Sequence, residues 1–148
     1  MASGGGDDLI RPDALRRISE EKEMEKLKEV LRKQQKAEEE AHAFHRTFEE
    51  QAVNPAEARR IISAMVRRAA ENGKREVMAL RFPSDWCTDK GRAINNFEPD
   101  WPETLTGFAK RAYEFYEQEL RPAGYRIRAQ ILDYPGGVPG DVGIFLSW

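Results

Sequence analysis

The longest uniform pattern in this sequence is a highly charged segment without proline or glycine. Between Arg16 and Glu40 the chain reads RRISEEKEMEKLKEVLRKQQKAEEE, with eight basic residues, eight acidic residues and many strong helix formers. Glu29 and Lys33 stand four positions apart with the acid first, which stabilises a helix. We therefore predict a helix over residues 13–51, about 55–60 Å long at a rise of roughly 1.5 Å per residue.

The heptad pattern of this helix leaves its packing open. The best seam uses two heptad positions, which hold Arg17, Met24, Leu31, Glu38 and His45, and Glu20, Leu27, Gln34, Ala41 and Phe48. Only half of these residues are apolar, whereas a stable coiled coil needs almost all of them to be. Two interpretations remain: a weak coiled coil around Met24–Leu31, or a solvated helical arm that docks through Phe44 and Phe48 on the rest of the protein.

A second helix is predicted after residue 54. Asn54 is a suitable N-cap, Pro55 suits the first helical position, and Glu57 completes a capping-box pattern. Asn72-Gly73 ends this helix, since Gly allows the left-handed turn. An apolar stripe at helical spacing follows the start signal: Ala58, Ile61, Ile62, Met65, Val66 and Ala69.

The remaining patterns predict a strand at residues 75–82, a third helix from about Pro102 to Leu120, and two alternating strands at 125–134 and 142–148. The predicted fold class is α+β, a two-layer α/β arrangement. It has a long charged N-terminal helix followed by a compact α-β-α-β-β domain with a small mixed three-stranded sheet. The predicted organisation is a flexible tail (1–12), a helical arm (13–52) and a compact α/β domain (54–148).

Composition narrows the functional classes. The chain has 24 basic and 26 acidic residues among 148, a net charge of -2, which argues against a strongly basic nucleic-acid binder or membrane anchor. No apolar stretch approaches the roughly 18–20 residues that span a bilayer. The single cysteine, Cys87, cannot form an internal disulfide, and the N-terminus does not resemble a secretory signal. We expect a cytoplasmic protein with no membrane partner.

The candidate site lies where two irregular segments are expected to meet. If the strands at 75–82 and 125–134 point the same way, the loops that follow them emerge at one edge of the sheet, where ligands often bind. The first loop, Pro83 to Asp100, has eighteen residues, and structureless loops of that length are often functional. The candidate ligand-binding residues of the two loops are Asp85, Cys87, Asp89, Arg92, Asn95, Asn96, Asp133 and Asp141.

Each candidate residue also has an ordinary structural explanation. Cys87 lacks a nearby histidine to activate it, because His42 and His45 lie on the arm, and a structural thiol is expected. The aspartates match no calcium-binding loop, and Asp residues beside turns usually cap backbone amides. Arg92 can bind an anion or form a surface ion pair. We predict no catalytic residue, no metal and no cofactor. The segment Pro135–Gly140 is expected to be a hairpin connection.

A nucleic-acid interface is the third possibility. It would use the basic second helix, which carries Arg59, Arg60, Arg67 and Arg68, and the open face of the sheet, where Arg81, Arg126 and Arg128 are expected. RNA-binding sheets usually add exposed aromatic residues for base stacking, whereas the outward position beside these arginines is Gln130. We therefore do not expect nucleic-acid binding.

Two segments of the C-terminal half carry a resemblance. CTDKGRAINN (Cys87–Asn96) together with YPGGVPGDVGIFLSW (Tyr134–Trp148) resembles a group of small bacterial proteins known only as uncharacterised. The resemblance covers the C-terminal half and not the arm. It implies a bacterial cytoplasmic origin and brings no activity, cofactor or catalytic residue.

The function expected from the sequence is a non-enzymatic protein-interaction or regulatory module. The arm would mediate self-association or partner docking, and the α/β domain would present the two loops as a binding edge. The alternative is a small-ligand or metal-binding domain, conceivably an enzyme, centred on residues 83–100.

Overall fold

A 39-residue helix, α1 (Pro12–Glu50), begins the architecture and confirms the helix predicted from the charge pattern. The computed structural model describes residues 9–148, so most of the predicted tail lies outside the described residues. The described chain divides into two compact units, one ending at His45 and the other spanning Arg46–Trp148. In the first unit, every side chain from Leu15 to Phe44 is exposed to solvent.

Helix α2 (Pro55–Glu71) begins and ends at the predicted signals. The backbone N–H of Glu57 donates to the side-chain oxygen of Asn54 at 3.2 Å, which satisfies a helix N-terminal donor. At the other end, Gly73 adopts a left-handed conformation with φ of 75°, and Lys74 N–H donates to the Ala69 carbonyl at 2.9 Å. This bond and the left-handed Gly73 are features of the Schellman motif, which fits the helix end predicted at the Asn-Gly pair.

The sheet contains three strands, β1 (Glu76–Pro83), β2 (Arg126–Ile131) and β3 (Asp141–Ser147), in the order β1-β3-β2. Both pairings are antiparallel, so the whole sheet is antiparallel. The prediction of a mixed sheet was wrong. The last strand lies between the other two, and β1 and β2 therefore point the same way without pairing. The α+β fold class is as predicted.

One face of the sheet forms the core. An irregularity between Met78 and Leu80 shifts the register of β1, which places Val77, Leu80 and Phe82 on the same covered face. Helix α4 (Gly107–Phe115), which continues as a π-helical turn (Tyr116–Leu120), contributes to the core packed against this face. The other buried core residues from β2 and β3 are Ile131, Val142, Ile144 and Leu146.

The third helix starts later than the sequence predicts. Residues Trp101–Thr104 form a separate 3-10 turn, and α4 begins only at Gly107. The Thr106 hydroxyl donates to the Trp86 carbonyl at 2.5 Å. Gly107 has a φ of 54°, and a Cβ there would lie 2.9 Å from the Phe48 carbonyl oxygen. The chain bends here because backbone segments pass too closely for a continuous helix.

Phe48 explains why the chain approaches so closely at this point. Its ring is buried, with centroid distances of 4.5 Å to Trp86 and 5.6 Å to Phe82. Phe44, in contrast, is exposed. Of the two aromatic residues expected to dock, only Phe48 belongs to the core of the second unit.

Candidate functional site

The two irregular segments meet, as the common direction of β1 and β2 requires. The Tyr134 hydroxyl donates to the side-chain oxygen of Asn95 at 2.7 Å. Ser84 donates its backbone N–H to the Gly140 carbonyl and its hydroxyl to the Pro139 carbonyl, both at 2.9 Å. We call residues 84–100 and 133–141 together the two-loop edge. The second segment is the predicted connection of an antiparallel hairpin, because β2 and β3 are paired neighbours.

The first segment contains regular structure, whereas its length was taken to indicate a structureless loop. It contains a 3-10 turn (Ser84–Trp86) and a short helix, α3 (Arg92–Asn95). The two side-chain oxygens of Asp89 accept from Gly91 N–H at 3.0 Å and from Ala93 N–H at 2.8 Å. This carboxylate therefore satisfies the backbone donors that a helix start leaves free.

The two aspartates of the second segment are also engaged. One side-chain oxygen of Asp133 accepts from the backbone N–H of Asp141 at 2.7 Å, which closes the hairpin connection. The Asp141 carboxylate in turn pairs with Arg81 Nε at 2.8 Å. Among residues 9–148, no group of three or more His, Cys, Asp or Glu side chains is placed to hold a metal ion. The ordinary capping role is thus seen for Asp89 and Asp133.

Cys87 lies in the core of the second unit. Its side chain is only 4% exposed, and burial raises the pKa of its thiol to about 11, an effect that a hydrogen bond with Thr104 partly offsets. A thiol with so high a pKa carries almost no thiolate at neutral pH, and thiolate is the reactive form. The arrangement fits a structural residue.

Three candidate residues keep unused polar groups at the surface. Within the described chain, the side chains of Asp85, Arg92 and Asn96 are exposed and make no hydrogen bond or ion pair. These three candidate residues therefore give the two-loop edge a carboxylate, a guanidinium and an amide that have no internal partner within the described chain. These groups can contact a partner without first breaking an internal bond.

Phe97 is the most unusual residue of this edge. Its side chain is 81% exposed, and its backbone has a φ of 54°, which is rare for a bulky residue. Phe97 N–H donates to the Ile94 carbonyl, and Glu98 N–H to the Ala93 carbonyl, so Phe97 occupies the position of a Schellman motif that Gly usually fills. Tyr134 and Val138 are also exposed on the edge. The sequence pattern gave no reason to expect a left-handed phenylalanine.

An apolar cleft within the second unit was not predicted. Its volume is about 240 Å³, and it lies between α2, the covered face of the sheet and α4. Four residues of the predicted α2 stripe line this cleft: Ala58, Ile61, Ile62 and Met65. The stripe is only partly buried, since Ala69 is its one buried residue and Ile61 remains exposed. The other lining residues include Ala79, Ala112, Tyr116, Ile127 and Ile144.

The open face of the sheet differs from expectation in one respect. The register places Phe145 beside Arg128 on this face, so the expected lack of an aromatic residue there was wrong. The Arg128 guanidinium lies 4.2 Å from the Phe145 ring centroid and donates to both carboxylate oxygens of Glu76 at 2.7 and 2.6 Å. This pairing lowers the pKa of Glu76 below its ordinary value, chiefly through the hydrogen bond from Arg128. Since Arg128 covers one side of the ring, that side is unavailable for base stacking.

Comparisons with protein-family models, curated proteins and solved structures give no match for this chain. Among the described residues, no helix combines the length and the apolar character needed to cross a membrane.

Proposed function

We propose that this protein is a non-enzymatic interaction module that self-associates through α1 and presents the two-loop edge to a protein partner. The main support is a stripe of apolar side chains on an exposed helix. Met24, Leu27, Val30 and Leu31 are each about half exposed, at 50–52%. Pairing two copies along this stripe removes that apolar surface from water.

The charges beside the stripe favour a parallel, in-register pair. With Met24 and Leu31 at one seam position and Leu27 at the other, the flanking positions hold Arg16, Glu21, Glu23 and Lys28. In a parallel pair, Arg16 of one copy faces Glu21 of the other, and Glu23 faces Lys28. Opposite charges at these positions set the orientation of coiled coils.

The seam is short, so the association is weak. Gln34 and Glu38 follow Leu31 at the seam positions, and a polar seam cannot add apolar burial. We expect a dissociation constant of roughly 10–100 µM, which corresponds to about 5–7 kcal/mol. A weak dimer of this kind responds to local concentration and suits a regulatory module.

The experiment is sedimentation velocity on the full chain from 5 to 500 µM. Leu27→Glu and Leu31→Glu place a charge in the seam and are expected to give a monomer throughout. Ile18→Glu is the matched control, because Ile18 is equally exposed at 51% but lies outside the seam. Circular dichroism checks that α1 remains helical in each variant.

A charge reversal tests the orientation. Glu23→Lys places two like charges across the parallel interface and is expected to weaken the dimer, while the double variant Glu23→Lys, Lys28→Glu restores it. A wild-type chain that stays monomeric at 500 µM, or an Ile18→Glu variant that is as monomeric as Leu27→Glu, would overturn self-association through this stripe.

The two-loop edge supplies the second contact surface of the proposal. Phe97 offers a large apolar anchor, and Asp85 and Arg92 offer unused charges on the same edge. Interfaces commonly combine an aromatic anchor with a polar rim. A cytoplasmic location, expected from the sequence, is part of the same proposal.

A further inference from the structure

We propose that the apolar cleft between α2 and the sheet is a binding site for an uncharged small molecule of the size of a bicyclic aromatic or a short hydrocarbon chain. The proposal is independent of self-association, because every lining residue belongs to the unit Arg46–Trp148.

The cleft exists because α2 is fixed at two points and does not pack evenly along its length. Near its C-terminus, Ala69 is buried. Near its N-terminus, Arg59 donates to both carboxylate oxygens of Glu119 at 2.6 and 2.7 Å, which joins α2 to the π-helical turn. Between these points the side chains of Ile61, Ile62 and Met65 line a gap.

The lining selects for an uncharged ligand. Among the lining residues only Glu57 carries a charge, and it is exposed. The two phenolic hydroxyls of the lining are already engaged, since Tyr116 donates to the Tyr125 carbonyl at 2.9 Å and Tyr113 donates to Glu117 at 2.8 Å. A carboxylate in the cleft would lose hydration and find no cationic side chain in the lining, where the only charge is that of Glu57.

The volume sets the size of the ligand. An engineered apolar cavity of about 150 Å³ holds benzene. The cleft here is about 240 Å³, so it has room for indole, naphthalene or an eight-carbon chain. A partner helix does not fit this space, because α2 itself forms one wall and the opposite walls are the sheet and α4.

The test is methyl-detected NMR titration of the full chain with indole, naphthalene and n-octanol, and with octanoate as the charged comparison. We expect saturable shifts of the methyl groups of Ile62, Ile127 and Ile144, which line the cleft, while methyl groups elsewhere stay unchanged. Octanoate is expected to bind at least tenfold more weakly than n-octanol.

Filling the cleft provides the matched variants. Ala112→Leu and Ala58→Leu each add three carbons inside it and are expected to weaken binding at least tenfold while keeping or raising the melting temperature. Ala56→Leu makes the same change on α2 at an exposed position that does not line the cleft, and it should bind like wild type. Non-saturable shifts with all three neutral probes would overturn the proposal. So would unchanged binding by both filled variants in folded protein.

Discussion

Substitution of Phe97 tests whether the left-handed conformation at the two-loop edge carries a stability cost. At most positions Ala is more stable than Gly, because Gly loses more backbone freedom on folding. At Phe97 the φ of 54° reverses this expectation, since a side chain with a Cβ is strained there and Gly is not. We predict that Phe97→Gly is more stable than Phe97→Ala.

The magnitude follows from the exposure and the backbone. A phenylalanine side chain presents about 200 Å², and Phe97 is 81% exposed, so about 40 Å² is buried. Losing this area costs about 1 kcal/mol in either variant. Gly relieves about 1–2 kcal/mol of strain and loses about 0.5–1 kcal/mol of backbone entropy, a net gain of about 0.5–1 kcal/mol over Ala. Phe97→Gly should therefore be nearly neutral relative to wild type.

Urea and thermal unfolding followed by circular dichroism measure this difference. A gain of 0.5–1 kcal/mol corresponds to roughly 3–6 °C in melting temperature for a unit of this size. Ala64 is the control, because it is exposed in the middle of α2, where Ala64→Gly should cost about 1 kcal/mol. If Phe97→Ala is as stable as Phe97→Gly or more so, the strain argument is refuted. If Phe97→Gly is the more stable variant, as predicted, it is also the right one for partner-binding assays, because its fold stays intact.

Three further predictions concern single residues. At pH 8, iodoacetamide should modify Cys87 at least a hundredfold more slowly in the native protein than in urea, and comparable rates would show that the thiol is accessible. Because burial raises the Cys87 pKa from 9.0 to about 11, the neutral thiol contributes stability that is complete below pH 9 and is lost as the pH rises through 11, and Cys87→Ala should lack this loss. Asn54→Ala removes the cap of α2 and should lower the free energy of unfolding by about 1 kcal/mol in urea titrations, whereas Asn96→Ala, whose side chain is unused, should change it by less than about 0.5 kcal/mol.

Local signals account for what could be predicted from the sequence. The start of α2 depends on Asn54 and Pro55 and its end on Gly73, and each acts within a few residues of itself. The alternation of Ile127, Ala129 and Ile131 likewise predicts which side of β2 faces the core. Such features need no knowledge of distant segments.

The order of the strands could not be derived in the same way. A strand, a helix and a second strand predict a parallel crossover, and β1 and β2 do share a direction. Whether they pair depends on the last seven-residue strand, which inserts between them and pairs with both. That choice is made by packing over the whole chain, so a mixed sheet and an antiparallel one are equally consistent with the local pattern.

For a similar reason, the sequence could not show which candidate residues bind the backbone and which are unpartnered. Composition alone cannot distinguish a free carboxylate from one that caps a backbone, and only coordinates show that Asp89 accepts two backbone N–H groups while Asp85 accepts none from the described chain. The left-handed conformation of Phe97 was missed because a positive φ favours Gly, and the chain has an aromatic residue at this position instead. Backbone strain of this kind often occurs at functional sites, which supports the contact role proposed for Phe97.

The cleft could not be predicted from the sequence either, because the apolar pattern of α2 does not give its distance from the sheet. An apolar stripe such as that of α2 predicts which face turns inward, but it does not predict how far the helix stands from the sheet. Here the ion pair of Arg59 with Glu119 holds the N-terminal half of α2, while Ala79 and Ala112 leave space beneath it. Small residues facing a helix that is fixed by a surface ion pair therefore produce a gap where large ones would have produced core. Leucine at either alanine would fill that gap, so alanine at both positions leaves the room that the proposed ligand would occupy.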